Sequence, residues 1–306
     1  MKLYNLTGDR LIQVPTKEFK LERDIQKMVE KNLEELFNLQ LVKSELTIKG
    51  FRIDSLGFNR ESRSFVILEY KKDRSYSVID QGYTYMSLML NNKSDFILEY
   101  NENCGGQLKR EDVDWTQSRV IFISPFFTEY QKHSVNFKDV PFELWEIKRY
   151  GNNQVGLVQH TTQSKESITE VTTDLENVVS KVAKEVKMYS EDFHLQQPKV
   201  LAPTKEMYYE LKERILNLGS DIEIVPRKMY VGFKRKTVFF SAFIGKSTLW
   251  CWINLKVGEL DDPKRLCRDV SKIGHYGAGE YDLSIKKDTD LDYVMFLIKQ
   301  AYKKQD

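Results

Sequence analysis

The chain has 306 residues, of which 41% are hydrophobic and 12% aromatic, a composition typical of a globular protein with a sizeable core. It has no run of 18 apolar residues and no apolar segment after Met1, so the expectation is a cytoplasmic protein with no signal peptide and no membrane span. The three cysteines, Cys104, Cys251 and Cys267, are far apart, which excludes a disulfide framework and a CxxC metal site and favours a reducing compartment.

The net charge is unevenly distributed. Residues 199–306 carry 20 Lys and Arg against 15 Asp and Glu, a net charge of +5, which leaves −3 for residues 1–198. A protein that binds duplex DNA tightly through counterion release usually has a higher net positive charge. The charge therefore argues against tight constitutive DNA binding, although bound metal ions would offset carboxylates at a catalytic site.

The first elements are a predicted strand pair within Met1–Val14 and an amphipathic helix over Lys20–Leu39. Three acidic residues on this helix, Glu22, Glu30 and Glu34, are candidates for an additional metal-facing carboxylate. For any one of them, a solvated helix face is the more typical role.

A strand hairpin follows, and it carries the strongest chemical signal. Ile48–Phe58 and Phe65–Lys71 have the apolar, β-branched composition of buried strands. Asp54 lies within the first strand, while Glu69 and Lys71 share one face at the end of the second. Buried charges are costly unless they pair, bind a metal or face a cleft, so these residues predict a site. A structural Glu–Lys pair near an unrelated aspartate is the alternative.

The next segment, Ser75–Leu90, has apolar residues at close to helical period. Gln81 and Tyr85 are four residues apart and lie on a neighbouring face of this helix. Taken alone, Tyr85 is more typical of a core residue and Gln81 of a solvated one.

The ordered set Asp54, Glu69-Tyr70-Lys71 and Gln81-Gly82-Tyr83-Thr84-Tyr85 resembles the PD-(D/E)XK nuclease superfamily, in its RecB-like branch. The segment 22–37 also resembles the first helix of prokaryotic proteins with this core. The resemblance covers about the first half of the chain, and it departs from the family pattern at Ile53, where many members have proline.

The resemblance implies a restriction-endonuclease-like fold and hydrolysis of phosphodiester bonds, with DNA as the substrate and Mg²⁺ or Mn²⁺ as the cofactor. It implies Asp54, Glu69 and Glu22 as metal ligands and Lys71 as the group that orients the attacking water. The remaining implied site residues, which support the substrate or a water molecule, are Gln81 and Tyr85.

The rest of the first half predicts a strand in Trp115–Pro125, a short helix in Thr128–Phe137 and a strand in Phe142–Tyr150. These elements complete a mixed sheet flanked by helices. The polar segment Asn101–Asp114 is predicted as a loop. A helix over Leu175–Met188 lies in an otherwise polar linker.

Residues 199–306 predict a separate, smaller α+β domain. Its predicted helices are Thr204–Leu218, Pro263–Val270 and Asp290–Tyr302, and its predicted strands are Ile222–Val225, Met229–Lys234, Thr237–Phe243, Leu249–Val257 and Tyr281–Ile285. Its Gly-rich turn and aromatic strands resemble a small uncharacterised domain that accompanies such nuclease-like cores.

Three other motifs have stronger structural interpretations. Gly245-Lys246-Ser247 imitates a P-loop, but Phe240 replaces the required glycine, and a hairpin turn is expected. His275 is a lone histidine in a Gly-rich turn, where a structural donor is more typical than a ligand. The basic run Lys234-Arg235-Lys236 could contact a nucleic-acid backbone, with a solvated turn as the default.

The sequence thus predicts a nuclease-like domain over residues 1–158, a linker with a helix over 159–198 and an α+β domain over 199–306. The expected partner is nucleic acid, with no membrane. The oligomeric state, including a homo-oligomer, stays open. The alternative function is a catalytically inactive nuclease fold that binds nucleic acid or protein.

Overall fold

The computed structural model describes residues 2–72, 78–137, 140–160 and 178–305. The chain divides into two compact units, Met1–Met188 and Tyr189–Asp306. No helix in the described part of the chain is long and apolar enough to cross a membrane.

The first unit is built on a mixed sheet whose strands lie in the order β3-β8-β7-β6-β5-β4, with β9 paired to β8. Antiparallel pairing joins β4 to β5 and β5 to β6, while β6, β7 and β8 run parallel. A separate antiparallel hairpin, β1 and β2, precedes the sheet as expected. The strand bounds are β1 Tyr4–Thr7, β2 Arg10–Gln13, β3 Thr16–Lys17, β4 Gln40–Ile48, β5 Phe51–Asn59, β6 Ser64–Tyr70, β7 Arg119–Ser124, β8 Phe142–Tyr150 and β9 Val155–His160.

Helices cover both faces of this sheet. Buried residues of α1 and α2 pack with Val66, Leu68 and Ile121 on one face, and residues of α3, α4 and α6 pack with Phe65 and Ile67 on the other. The helices of this unit are α1 Glu22–Lys31, α2 Leu33–Phe37, α3 Val78–Asn91, α4 Lys93–Cys104, α5 Glu129–Ser134 and α6 Val178–Glu185. The result is a three-layer α/β/α core.

Several predicted boundaries of the first unit change. The single helix expected over Lys20–Leu39 is two helices, because the Asn32 side chain donates to the Met28 carbonyl oxygen at 2.7 Å and the backbone of Asn32 leaves helical geometry. The loop expected over Asn101–Asp114 begins with the last turn of α4, which ends at Gly105 with φ of +64°. Strands β4 and β9 were missed, and Ile48 belongs to β4 rather than to β5.

Two predicted helices begin at residues that the structure does not describe. Ser75–Ser77, at the start of the helix that contains Gln81, and Leu175–Asn177, at the start of the linker helix, lie outside the described residues.

The second unit is a six-stranded antiparallel sheet in the order β10-β11-β12-β13-β15-β14, with helices α8 and α9 packed on one face. The prediction of a mixed α/β unit followed by a smaller α+β domain is therefore confirmed. The element bounds are α7 Glu191–Leu195, α8 Ala202–Leu216, β10 Glu223–Pro226, β11 Val231–Lys234, β12 Val238–Ile244, β13 Leu249–Ile253, β14 Arg268–Asp269, β15 Tyr281–Ile285 and α9 Leu291–Lys303.

The second unit also begins earlier than residue 199. Residues 191–195, which the sequence analysis assigned to the linker without a helix, form α7 and belong to this unit, because Leu195 is buried in its core and Glu191 accepts a hydrogen bond from Tyr208 at 2.6 Å. His194 of the same helix lies 2.7 Å from the Arg227 carbonyl oxygen through Nε2. Burial lowers the pKa of His194.

The helix expected over Pro263–Val270 is wrong. The carboxylate of Asp262 accepts a hydrogen bond from the backbone nitrogen of Cys267 at 2.8 Å, and Arg265 adopts a left-handed φ of +52°. Arg268 then pairs with Asp282 and places the short strand β14 at the sheet edge.

The hairpin turn expected at Gly245-Lys246-Ser247 is confirmed, because these residues join the antiparallel strands β12 and β13.

Candidate functional site

Strands β5 and β6 separate at the end of the hairpin that lies away from the turn, and the side chain of Asp54 lies between them there. Regular pairing of these strands ends at Ser55 and Leu68. The backbone N–H of Tyr70 consequently has no partner in β5, and it donates instead to Asp54 Oδ2 at 3.0 Å. This bond fixes the aspartate beside the last residues of β6.

Glu69 lies at the same end of β6, and its residue surface is only 3% exposed. Its Oε1 accepts two hydrogen bonds, from Lys71 Nζ at 2.7 Å and from Gln81 Nε2 at 2.6 Å. Its Oε2 is buried and accepts no hydrogen bond from the residues that the structure describes. One oxygen of this carboxylate is thus held firmly while the other is left available.

Helix α3 supplies the two polar side chains that complete this arrangement. The amide of Gln81 also donates to the Tyr85 hydroxyl at 3.0 Å, and that hydroxyl donates to the Arg52 carbonyl oxygen at 2.9 Å. The helix comes close to β8 at Gly82, where a Cβ would lie 2.7 Å from the ring of Phe142. The glycine therefore lets α3 bring Gln81 to Glu69.

Of the three acidic residues on the first helices, Glu22 lies nearest the site. Its Oε1 accepts a hydrogen bond from the backbone nitrogen of Lys72 at 3.1 Å, and its charge contributes to raising the pKa of Asp54. Glu34 is exposed on α2. Glu30 accepts hydrogen bonds from Gln26 and Ser55 instead.

The sequence analysis missed a polar cluster beneath Asp54, on the α1 face of the sheet. Gln26 donates to the Asp54 carbonyl oxygen at 3.0 Å and to Glu30 at 3.0 Å. Glu30 in turn accepts from Ser55 Oγ at 2.6 Å, and Ser55 lies 3.1 Å from the hydroxyl of the buried Tyr70. The available signal was a glutamine within the apolar stripe of α1, since a buried glutamine needs partners.

Both carboxyl groups of the site have perturbed ionisation. Burial raises the pKa of Asp54, against the opposing effects of the Tyr70 N–H and Lys71. Burial, followed by the charge of Asp54, raises the pKa of Glu69, and Lys71 offsets this only in part. Two carboxylates that are costly to ionise side by side favour a cation between them.

The donor set is typical of a Mg²⁺ or Mn²⁺ site that water and substrate complete, rather than of a site made of protein ligands alone. Within the described residues, no group of three or more His, Cys, Asp or Glu side chains is arranged to hold a metal ion. Mg²⁺ commonly uses one or two carboxylates and completes its shell with waters and substrate phosphates. Asp54 and Glu69 Oε2, which accepts no hydrogen bond from any described residue, fit that pattern, with Glu22 at the margin of the site.

Two other motifs have structural partners. His275 Nδ1 lies 2.8 Å from the Gly277 carbonyl oxygen within its own turn. In the basic run of the second unit, Lys234 pairs with Glu223 and Arg235 with Asp221. These contacts favour the structural interpretation of both motifs.

Comparison with known proteins gives a full-length relative. An uncharacterised protein of Haemophilus influenzae (strain Rd) is 44% identical over 304 residues, which cover 99% of this chain and 100% of that protein. The chain belongs to the family of this Haemophilus protein. Residues 190–305 also match the family model described as a domain of unknown function, DUF5655, which corresponds to the second unit.

Two solved structures show partial similarity. The EndoMS–dsDNA2 complex is 18% identical with a TM-score of 0.26, over 42% of this chain and 47% of that one. A repair endonuclease from Pyrococcus abyssi is 17% identical with a TM-score of 0.24, over 41% and 47%. The chain spans about half the length of these endonuclease chains, and TM-scores at this level do not establish a common activity.

Proposed function

We propose that the first unit is a metal-dependent nuclease of the PD-(D/E)XK type that hydrolyses phosphodiester bonds in DNA, with Mg²⁺ or Mn²⁺ as its cofactor. The observation that carries this proposal is the asymmetric environment of Glu69. Lys71 and Gln81 occupy one oxygen, and the other is buried next to a second acid and receives no hydrogen bond from the residues that the structure describes. An orphaned carboxylate oxygen is costly in a purely structural role, and metal coordination would satisfy it.

Each side chain has a role that follows from its contacts. Asp54 and Glu69 would hold the cation, with Glu22 as a possible further ligand. When bound, the cation polarises the phosphate and lowers the pKa of the attacking water. The Lys71 side chain is 21% exposed, so it reaches the solvent side of the site. There its ammonium would orient the water.

Gln81 and Tyr85 act through Glu69 rather than on the substrate. The 2.6 Å bond from Gln81 fixes the carboxylate so that its free oxygen keeps one direction. Tyr85 holds the Gln81 amide and ties it to the Arg52 backbone of the neighbouring strand. Hydrogen-bond partners of this kind orient metal ligands and raise metal affinity.

Cleavage assays on single-stranded, duplex and forked DNA with Mg²⁺ or Mn²⁺ test the proposal. We expect metal-dependent cutting by the wild-type protein and its loss in both Glu69→Ala and Lys71→Ala. The matched controls are Glu99→Ala and Lys43→Ala, which break another Glu–Lys ion pair in the same unit, also at 2.7 Å. The controls should cleave like the wild type.

The alternative, a catalytically inactive binding module, makes a different prediction. It requires nucleic-acid or partner binding that is unaffected by Glu69→Ala, with no calorimetric binding of Mn²⁺. Absence of cleavage of every substrate together with absence of Mn²⁺ binding would contradict the nuclease proposal. Cleavage that survives Glu69→Ala would contradict the assignment of the site.

A further inference from the structure

Two adjoining cavities in the first unit have lining residues whose charges are mostly positive. The larger, of about 640 Å³, includes Lys17, Lys20, Lys27, Lys31 and Arg149, against the acidic residues Glu18 and Asp24. The two cavities share Lys17, Glu18 and Arg149, so they adjoin, and together they are called the groove below.

The second cavity, of about 360 Å³, adds Lys72 and Lys148 to the shared cations. The groove therefore concentrates seven cations against two acids in the part of the chain, residues 1–198, whose net charge is −3. Such a concentration of one sign along a concave surface attracts a polyanion.

Most of these cations form no ion pair within the part of the chain that the structure describes. Lys148 lies 3.5 Å from Glu146, and Arg149 stacks over the ring of Phe19 at 5.6 Å. The remaining five, all exposed lysines, form no ion pair with the described residues: Lys17, Lys20, Lys27, Lys31 and Lys72. Their charges are thus available to a ligand.

One pair of cations works against the stability of the fold. Lys17 of β3 lies directly opposite Arg149 of β8 in an antiparallel pair. Like charges at directly opposite positions destabilise a sheet. A bound anion between them would relieve this repulsion, which gives the pairing a role in ligand binding.

The groove leads to the end of β6 that carries Glu69 and Lys71, which is called the catalytic edge below. Strand β3 pairs with Arg149 and Tyr150, beyond Glu146, the last residue of β8 that pairs with β7. It therefore lies where β7 ends, and Pro125, just after β7, lines the same cavity as Lys72. Lys72 directly follows Lys71 and donates its backbone N–H to Glu22.

We infer that this groove binds the phosphate backbone of the DNA strand that enters the catalytic edge, and that it holds several consecutive phosphates beside the scissile one. The inference rests on the proposed function, which places the scissile phosphate at Glu69. The ligand class follows from the charges: exposed lysines that form no ion pair with the described residues neutralise phosphates without reading the sequence.

The test measures binding and cleavage separately. Binding of a fluorescent oligonucleotide, single-stranded and duplex, is followed by anisotropy with EDTA present, so that no cleavage occurs. The variant Lys27→Gln/Lys31→Gln removes two groove charges, and Lys109→Gln/Arg110→Gln removes two exposed charges outside the groove. We expect the first to weaken binding at least tenfold and the second to leave it unchanged.

The salt dependence gives a second readout. Each lost phosphate contact should reduce the slope of log K against log salt by about 0.7 to 0.9. The groove variant should lose about twice that, whereas Lys109→Gln/Arg110→Gln should keep both the wild-type slope and the wild-type cleavage rate. A further variant, Lys17→Gln, should bind more weakly yet melt at the same or a higher temperature, because it relieves the repulsion from Arg149.

The outcomes separate the inference from the proposed function. Cleavage lost in Glu69→Ala with DNA binding unchanged in the groove variants would overturn the groove while keeping the nuclease. Groove-dependent binding without cleavage would keep the groove and overturn the nuclease. Groove variants that lose binding to phosphatidylserine vesicles but not to DNA would overturn the inference in favour of a membrane surface.

Discussion

The substitution Glu69→Gln should stabilise the protein when no divalent metal is present. Within the described part of the chain, the Oε2 of the wild-type glutamate is buried and accepts no hydrogen bond, and the pKa of Glu69 is raised by burial and by Asp54. An unsatisfied buried acceptor costs about 1–3 kcal/mol. In the variant, the oxygen can still accept from Lys71 and Gln81, while the new amide donates towards Asp54.

Part of this gain is offset, because the neutral amide gives up its attraction to the Lys71 ammonium. The Lys71 side chain is 21% exposed, so its ammonium keeps part of its solvation after the change. The net expectation is an increase of about 1 kcal/mol in the free energy of unfolding of the first unit. For a unit of this size, that corresponds to a rise of about 2–4 °C in melting temperature.

The assay is urea and thermal unfolding of the full chain in EDTA and then in Mg²⁺. Metal should raise the melting temperature of the wild type and leave the variant unchanged, because binding to the folded state alone adds stability. The control Glu99→Gln removes a carboxylate that is satisfied by Lys43, so it should be neutral or slightly destabilising. A Glu69→Gln variant that is less stable than the wild type in EDTA would refute the reasoning.

Three further predictions follow from contacts of single side chains. Gln81→Ala should lower Mn²⁺ affinity and cleavage about 10- to 100-fold, because Glu69 loses the bond that orients it; unchanged calorimetry would contradict this. Gln26→Leu should lower the free energy of unfolding by about 1–3 kcal/mol in urea, since the Asp54 carbonyl oxygen loses a buried donor; full wild-type stability would show that water replaces it. The lowered pKa of His194 favours its neutral form in the folded state, so its contribution to stability is present above pH 6.5 and is lost as pH falls through the folded value. Between pH 5 and 7.5, the melting temperature should therefore depend less on pH in His194→Asn than in the wild type. The same dependence on pH in both proteins would contradict the assignment.

The parts of the site that the sequence predicted are those set by local periodicity. Glu69 and Lys71 lie on the same face at the end of β6 because strand side chains alternate. Gln81 and Tyr85 interact because they are one helical turn apart. Both relations hold in the structure, at 2.7 Å and 3.0 Å. Their convergence with Asp54 depended on the hairpin of β5 and β6, whose turn was also local.

The polar cluster beneath the site could not be predicted in this way. Gln26 reaches the Asp54 carbonyl oxygen only because α1 packs across β5, and no local pattern specifies that packing. The groove was hidden for the same reason, since Lys17 and Arg149 are distant in sequence and meet only when β3 joins β8. A net charge cannot reveal where charges gather after folding.

Errors in the predicted elements have equally specific causes. Helix α4 contains Asn, Glu and Lys residues with a single buried side chain, Phe96, so it lacked the apolar stripe that predicts a helix. The segment 263–270 had a proline and an apparent helical composition, but side-chain bonds from Asp262 and Arg268 direct its backbone into a turn and an edge strand. In both cases, tertiary contacts override the local signal.

The most direct test of the central claim couples metal binding to chemistry in one titration. Mn²⁺ is titrated into the wild-type protein by calorimetry, and the cleavage rate of a bound DNA substrate is followed over the same concentrations. The account predicts that the two midpoints change together with pH, and that binding and cleavage both vanish in Glu69→Gln while Glu99→Gln retains them. Cleavage by Glu69→Gln at the wild-type rate, or cleavage by the wild type with no Mn²⁺ bound at this site, would contradict it.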